Sequence, residues 1–406
     1  MTCLLSEYGA DDQSACPKDC PGCGRQKLLP ENRLRQKEAW LTTRLNQWKA
    51  RMDPIQTVPE NQRWHYRNKV CLSTRWDQDA WRFGLIRKET LIPIHDCPIH
   101  TVPIGQAIAL FSEALPPALC FPLSYYAHSG GQVTLVVKSA KMPDVTWLDE
   151  QCKKRLTEIG IEGLWVHLHP SCGKKVFTKN TWHLLHGAPQ STDDNGLVYG
   201  PRSFQQLIPR LYDQSMEIAE AFLAPNPGAC MVDLYCGIGA GLARWRQKCD
   251  HVMGVELDGE AVTNARINAP GAAVLRGACR TRIPQLVEFS DAQQPGGGRR
   301  LLYVNPPRTG LEPETLNWVT THYKPLRMAY LSCSAGTLHR DLTLLEAAGY
   351  RVDRIFPFDF FPNTPHVETL VLLSSPQEKA IRISVRNQPL ISVPSVFSVV
   401  KIQPEQ

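Results

Sequence analysis

Two hydrophobic rhythms divide this chain. From Gln132 to Lys138 and from Leu164 to Leu168, apolar positions fall in short strand-like runs, which predict a β-rich region reaching to about Gly200. After Ser203 the pattern becomes apolar runs separated by helical periodicity. Strands are expected at Met231–Tyr235, His251–Glu256, Ala273–Leu275, Leu301–Val304, Met328–Leu331, Arg351–Phe356 and Val367–Leu373. That alternation predicts an α/β fold with a doubly wound sheet of the dinucleotide-binding type. Upstream of both regions, an apolar stripe beginning at Leu34 and recurring at Leu41, Leu45, Trp48 and Met52 predicts an amphipathic helix joining the first segment to the next domain.

These patterns set the expected domains: an N-terminal cysteine-bearing segment and helix at 1–56, a β-rich domain at 57–200, an α/β domain at 201–375 and an extension at 376–406 to which no role is assigned. A chain of 406 residues is long enough for several cores, and 43% hydrophobic with 21% charged residues is ordinary for a soluble enzyme. No apolar run is long enough to span a bilayer, and the first thirty or so residues are too polar for a secretory signal, so a cytoplasmic location without a membrane partner is expected. No obligate protein partner is evident. In that compartment the 14 cysteines read as ligands, nucleophiles or core fillers rather than disulfides.

The candidate chemistry lies in three places. Cys16, Cys20 and Cys23 put three thiols within one loop's reach, and Cys97 can complete a set of four suited to a [4Fe-4S] cluster or to structural zinc, with Cys3 in reserve. The same spacing occurs in radical S-adenosylmethionine enzymes, but those need a barrel of repeated βα units that is not found between Cys23 and Gly200. Further on, a strand ending at Asp233 runs through Tyr235 into Gly237 and Gly239, a turn that lets backbone approach a ligand, and the next strand ends at Glu256, placed to accept adenosine ribose hydroxyls. This pairing suits S-adenosylmethionine or a dinucleotide; an ordinary strand-to-helix turn is the bland alternative. Asn305, Pro306, Pro307 and Arg308 follow the fourth strand at the crevice side of such a sheet.

Net charge of +6 suits a polyanionic partner. Between Asn61 and Lys88, basic residues including Arg63, Arg67 and Lys69 alternate with Trp64, Tyr66, Trp76, Trp81 and Phe83, the pairing of cations and rings that holds single-stranded RNA. Equally, the tryptophans can be core and the charges a solvated face.

Five segments occur in a fixed order: Ser203 to Gln206, Asp233 to Gly239, Asn305 to Gly310, Tyr330 to Ser334, and Phe358 to Glu368. In these the chain resembles the bacterial RNA uracil-C5 methyltransferases, and most of all their ribosomal RNA branch, which carries an iron-sulfur cluster and lacks an N-terminal oligonucleotide-barrel domain. The resemblance implies an S-adenosylmethionine-dependent enzyme acting on RNA, with 23S ribosomal RNA the expected substrate. It implies Cys333 as nucleophile and Glu368 as the base that removes the C5 proton. Gln206, Asp233, Tyr235, Gly237, Gly239, Glu256 and Asn305 fall on donor-binding positions, and Arg308 joins Arg63, Arg67 and Lys69 as a candidate RNA contact. Ser334 and Ala335 replace the family's common Asn-Pro after the nucleophile, and Asn305 replaces an Asp found in several relatives. A protein that keeps this fold but only binds or folds RNA is the competing class.

Overall fold

The computed structural model describes residues 16, 17, 19–23, 30–173, 175–178, 181–293 and 298–378. Cys3 and most of the 376–406 extension therefore lie outside the described residues.

Helix α1 (Pro30–Arg44) buries Leu41, and Leu45 and Trp48 continue the same face just beyond it. This stripe does not face the β-rich region. It packs with Leu338, Leu342, Val352 and Ile355 in the core of the C-terminal sheet. Behind it the chain runs beside an edge strand, where Asp53 N–H donates to Ile355 O (2.9 Å) and Gln56 N–H to Pro357 O (2.8 Å). The physical reason is the edge itself, whose unpaired backbone groups are satisfied by a passing segment.

The first sheet has seven strands: β1 (Lys69–Asp77), β2 (Ala80–Arg87), β3 (Thr90–Pro93), β4 (Leu123–Ser129), β5 (Gln132–Val137), β6 (Gly163–Leu168) and β7 (Trp182–Gly187), in the order β3-β2-β1-β4-β5-β6-β7. Helix α2 (Val102–Ala114) shares its core, and α3 (Glu150–Ile159) forms the crossover between β5 and β6, the parallel pair in this sheet. Trp81 and Phe83 are 2% and 1% exposed within that core, so for these two rings the bland reading of the aromatic stretch holds. A short ribbon, β8 (Ser191–Thr192) and β9 (Val198–Tyr199), leads onward.

After α4 (Pro209–Leu223), strands and helices alternate: β10 (Cys230–Leu234), α5 (Ala240–Arg246), β11 (His251–Glu256), α6 (Gly259–Asn268), β12 (Ala273–Arg276), α7 (Ile283–Ala292), β13 (Arg300–Val304), α8 (Pro313–Trp318), β14 (Arg327–Ser332), α9 (Ala335–Ala347), β15 (Arg351–Phe358) and β16 (Glu368–Ser374). The seven strands order as β12-β11-β10-β13-β14-β16-β15, parallel from β12 to β14, with β16 antiparallel to both neighbours. Every residue of β10 and β16 is buried, as a sheet covered on both faces requires. Strand order reverses between β10 and β13, which opens a crevice at their carboxyl ends, the place where open α/β sheets take ligands. No described helix is long and apolar enough to cross a membrane.

Candidate active site

The chain leaves β10 through a sharply turned loop. Tyr235, Gly237 and Gly239 all have positive φ (61°, 56° and 86°). At Gly239 an added Cβ would lie 2.9 Å from the Ala265 Cα, so this glycine allows α6 to pack closely behind the loop, whereas Gly237 faces open space. Glu256, at the end of β11, accepts from Gly237 N–H through Oε2 (3.0 Å) and from Asp258 N–H through Oε1 (2.8 Å). Asp233 is 1% exposed; its Oδ2 accepts from Trp245 Nε1 at 2.9 Å, while Oδ1 has no partner among the described residues. Burial pushes the Asp233 carboxyl up to about 7, against the pull of the Trp245 bond.

The loop borders a cavity of about 1490 Å³, lined also by Gln206, Asn305, Arg308, Cys333 and Glu368. Six of the seven sequence-predicted donor contacts reach it; Gly239 stands behind. Gln206 Oε1 is buried without a partner, and its amide nitrogen lies 3.5 Å from Glu368 Oε2. Such unsatisfied acceptors at the rim of a crevice are groups a polar ligand would complete.

Three cysteines among the described residues line this cavity: Cys236, Cys279 and Cys333. Cys236 and Cys279 are almost fully buried and face carboxylates; burial first, then Asp233 and Glu256, hold the Cys236 thiol well above its ordinary range. Burial likewise pushes Cys279 up to about 12. Cys333 is half-buried just before α9, and although burial and then Glu368 raise it, Arg308 pulls it down. It is thus the one of the three with a facing cation and a helix N-terminus beside it, the two features that favour thiolate. Glu368, 3% exposed, opens β16, and burial pushes its carboxyl up to about 7 against the Gln206 hydrogen bond. A carboxylate poised there suits proton removal at neutral pH.

The turn after Cys333 is closed by hydrogen bonds to serine and threonine hydroxyls. Ser334 N–H donates to Ser332 Oγ (3.2 Å), and the Thr337 hydroxyl reaches both Ser334 O (3.2 Å) and Arg308 O (3.1 Å), tying the two cavity turns together. Asp341, fully buried on α9, accepts from Leu311 N–H and from the Tyr330 hydroxyl, each at 2.8 Å. Neither supporting residue was singled out from sequence, although an acidic residue on the apolar face of a helix was a readable signal.

Cys16, Cys20, Cys23 and Cys97 line a second cavity of about 110 Å³, together with Arg67 and His100. Burial, then the neighbouring Cys97, pushes the Cys23 thiol up to about 12, while Arg67 pulls the other way. No three or more His, Cys, Asp or Glu side chains among the described residues form a metal-holding group. All four thiols nonetheless border the one space. Four thiols on one space are a donor set that zinc and iron-sulfur clusters both take.

The basic candidates separate. Arg308 is exposed at the main cavity, and Arg67 lies at the cysteine cavity. Lys69 donates to Ser203 O and rests by the half-exposed Phe204 ring, and burial brings its amine down to about 8. Arg63 is not an RNA contact. It is 2% exposed and paired with Asp359 (2.6 Å), a partner its place in a basic run could not reveal.

Comparison with known proteins gives the same direction. Residues 299–376 match the family described as tRNA (Uracil-5-)-methyltransferase. Proteins named as uncharacterised RNA methyltransferases are similar over most of the chain. One from Enterococcus faecalis is 28% identical, over 79% of this chain and 73% of its own length. Another from Bacillus cereus is 28% identical, over 91% of this chain and 84% of its own. The crystal structure of Pyrococcus abyssi tRNA (uracil-54, C5)-methyltransferase in complex with S-adenosyl-L-homocysteine superposes with a TM-score of 0.65 at 22% identity, covering 87% of this chain and 86% of that one. The two chains share their overall fold.

Proposed function

From a chain that resembles the uracil-5 RNA methyltransferases and is related to RNA methyltransferases along most of its length, we infer an enzyme that makes 5-methyluridine in RNA with S-adenosylmethionine as donor. The observation that carries this reading is one cavity shared by the Asp233–Gly239 loop, a thiol with a facing cation, and a buried carboxyl raised to about 7.

The chemistry asks for these groups. Uracil C5 is too weak a nucleophile to be alkylated directly. Addition of Cys333 Sγ at C6 moves the ring's electron pair toward C5 and O4. Held by residues such as Glu256 and Gln206, the donor would supply an electrophilic methyl group to C5. Glu368 then takes the C5 proton, and the electrons left behind restore the C5–C6 double bond and expel the Cys333 thiolate. Glu256 holds the donor loop through Gly237 N–H, and Asp233, Tyr235 and Asn305 line the same cavity. Arg308 faces the thiol and is placed for a phosphate of the incoming strand. The target base must leave its stack to reach this depth.

We take 57–200 as the RNA-gripping domain and 201–375 as the methyl-transfer domain, with 23S ribosomal RNA as substrate. Cys16, Cys20, Cys23 and Cys97 would hold a [4Fe-4S] cluster with a structural or RNA-positioning role. Protein purified without oxygen is expected to carry iron and sulfide at about four each per chain, lost together in Cys23→Ser. Zinc without iron would overturn that assignment.

The function is tested by incubating the purified protein with methyl-labelled donor and either 23S ribosomal RNA or transfer RNA, then digesting to nucleosides. Label in 5-methyluridine from ribosomal RNA is the expected result. Label only from transfer RNA would move the substrate, and none from either would support a binding role.

A further inference from the structure

The base sits at the end of a long connection. β15 ends at Phe358 and β16 begins at Glu368, the two residues forming the last pair of their antiparallel ladder. Between them residues 359–367 pass over the cavity, which Phe361 and His366 line. A loop of this length, left to itself, samples many conformations.

Here its first half is held by side chains from one distant stretch, residues 33–66. Asp359, fully buried, takes Lys37 on one oxygen and Arg63 on the other; Lys37 is 1% and Arg63 2% exposed. Lys37 also donates to Phe361 O at 3.1 Å, and the Tyr66 hydroxyl to Pro362 O at 2.8 Å. Asn363, in the left-handed region at φ 67°, accepts from Arg33 and donates to Arg63 O at 3.2 Å. Asp359 N–H completes the set by donating to Gln56 O at 2.9 Å.

Burying two cations on one carboxylate is a poor way to gain stability, because desolvation offsets most of the attraction. What such a group does well is fix one geometry, since any shift leaves a charge unpaired in a dry interior. The geometry it fixes lies immediately upstream of the proposed base.

We propose that Lys37, Arg63 and Asp359 form a positioning clamp through which the N-terminal helix sets the 359–366 loop and so the working position of Glu368. This rests on the reaction proposed above and adds that the N-terminal helix belongs to its proton-removal machinery. Addition of the thiol and methyl transfer depend on Cys333 and the donor loop, which the clamp does not touch. Loss of the clamp therefore slows the last step selectively.

The test compares Asp359→Asn, Lys37→Met, Lys37→Arg and Tyr66→Phe with Glu368→Gln on the full-length, metal-loaded protein. Turnover, donor affinity, melting temperature and the fraction of protein covalently joined to RNA are read for each. For Asp359→Asn and Lys37→Met, kcat falls roughly 10- to 100-fold and the joined fraction rises, while donor Kd stays within about twofold. Lys37→Arg, which keeps the charge, recovers most of the turnover. A purely structural role would lower melting temperature, donor affinity and turnover together with no joined species, and that result overturns the clamp. Should Asp359→Asn fail to fold, Tyr66→Phe decides, because it removes a single hydroxyl contact: a raised joined fraction supports the clamp and wild-type behaviour overturns it. Failure of Glu368→Gln itself to trap RNA overturns the assigned reaction, whereas wild-type kcat in Lys37→Met overturns the clamp.

Discussion

Glu368→Gln leaves the protein bound covalently to its RNA. With the carboxylate gone, Cys333 still adds to C6 and C5 still receives its methyl group, but no group removes the C5 proton and the thiolate cannot depart. The joined species is expected as a slow band on a denaturing gel that requires both donor and RNA, with turnover reduced by at least roughly 10²- to 10⁴-fold, the usual worth of a positioned base. Wild-type turnover, or no joined species on a substrate the native protein methylates, would remove Glu368 from this role.

The same substitution carries a stability signature. The folded carboxyl lies near 7, above its ordinary 4.5. Between those values the folded protein binds more protons than the unfolded chain, so this residue's contribution to stability declines as pH rises from about 4.5 through 7 and stays low above. Glutamine removes the penalty. At pH 8 the variant gains on the order of 3 kcal/mol over wild type, and near pH 4 the difference vanishes. Thermal denaturation at the two pH values reads it directly. Asp233, also raised to about 7, preserves part of the slope in the variant. In the active enzyme, the proton-removal step is expected to quicken as pH rises through about 7.

Cys333→Ala abolishes methylation, by roughly 10⁴-fold or more, because no other group in the cavity can open the uracil ring to alkylation. Cys236 and Cys279 border the same space but face carboxylates, and burial holds both thiols protonated. Cys249→Ala is the control: it trims an apolar contact in the core shared with Leu242 and Trp245, away from the cavity, and leaves the reaction pathway intact. Binding of the donor to Cys333→Ala, followed by calorimetry, is expected within about twofold of wild type, since Gln206, Glu256 and the Asp233–Gly239 loop, and not the thiol, are the groups proposed to hold the donor. Methylation at an undiminished rate by Cys333→Ala would sink the covalent route altogether.

The parallel sheet was legible because each of its strands is a short apolar run, a local property of chain buried on both faces. His251–Glu256 has the same bounds in sequence and structure, and the other six C-terminal strands shift by only a residue or two. The helix ending near Arg44 was equally legible as a helix but not as to its partner, because an apolar stripe states that a face must be covered and not by what. The loop glycines and Glu256 could be read from their spacing, which a strand, a turn and the next strand fix within one βα unit.

What the sequence could not supply was which charges lie inside. Arg63 stands in a run of basic residues yet is buried on Asp359, some three hundred positions later. Asp341 and Thr337, which brace the nucleophile turn, have no motif of their own. Nor could composition choose among three cavity thiols; the choice comes from Arg308, brought opposite Cys333 by the fold. The sequence by itself determined the sheet and the glycine loop, because these depend on periodicity and short spacing, while Cys333 and Glu368 were singled out only by the resemblance of the segments that carry them. Only the tertiary structure decided which cation faces the thiol and which is locked in the interior, because ionisation and exposure are set by neighbours distant in the chain.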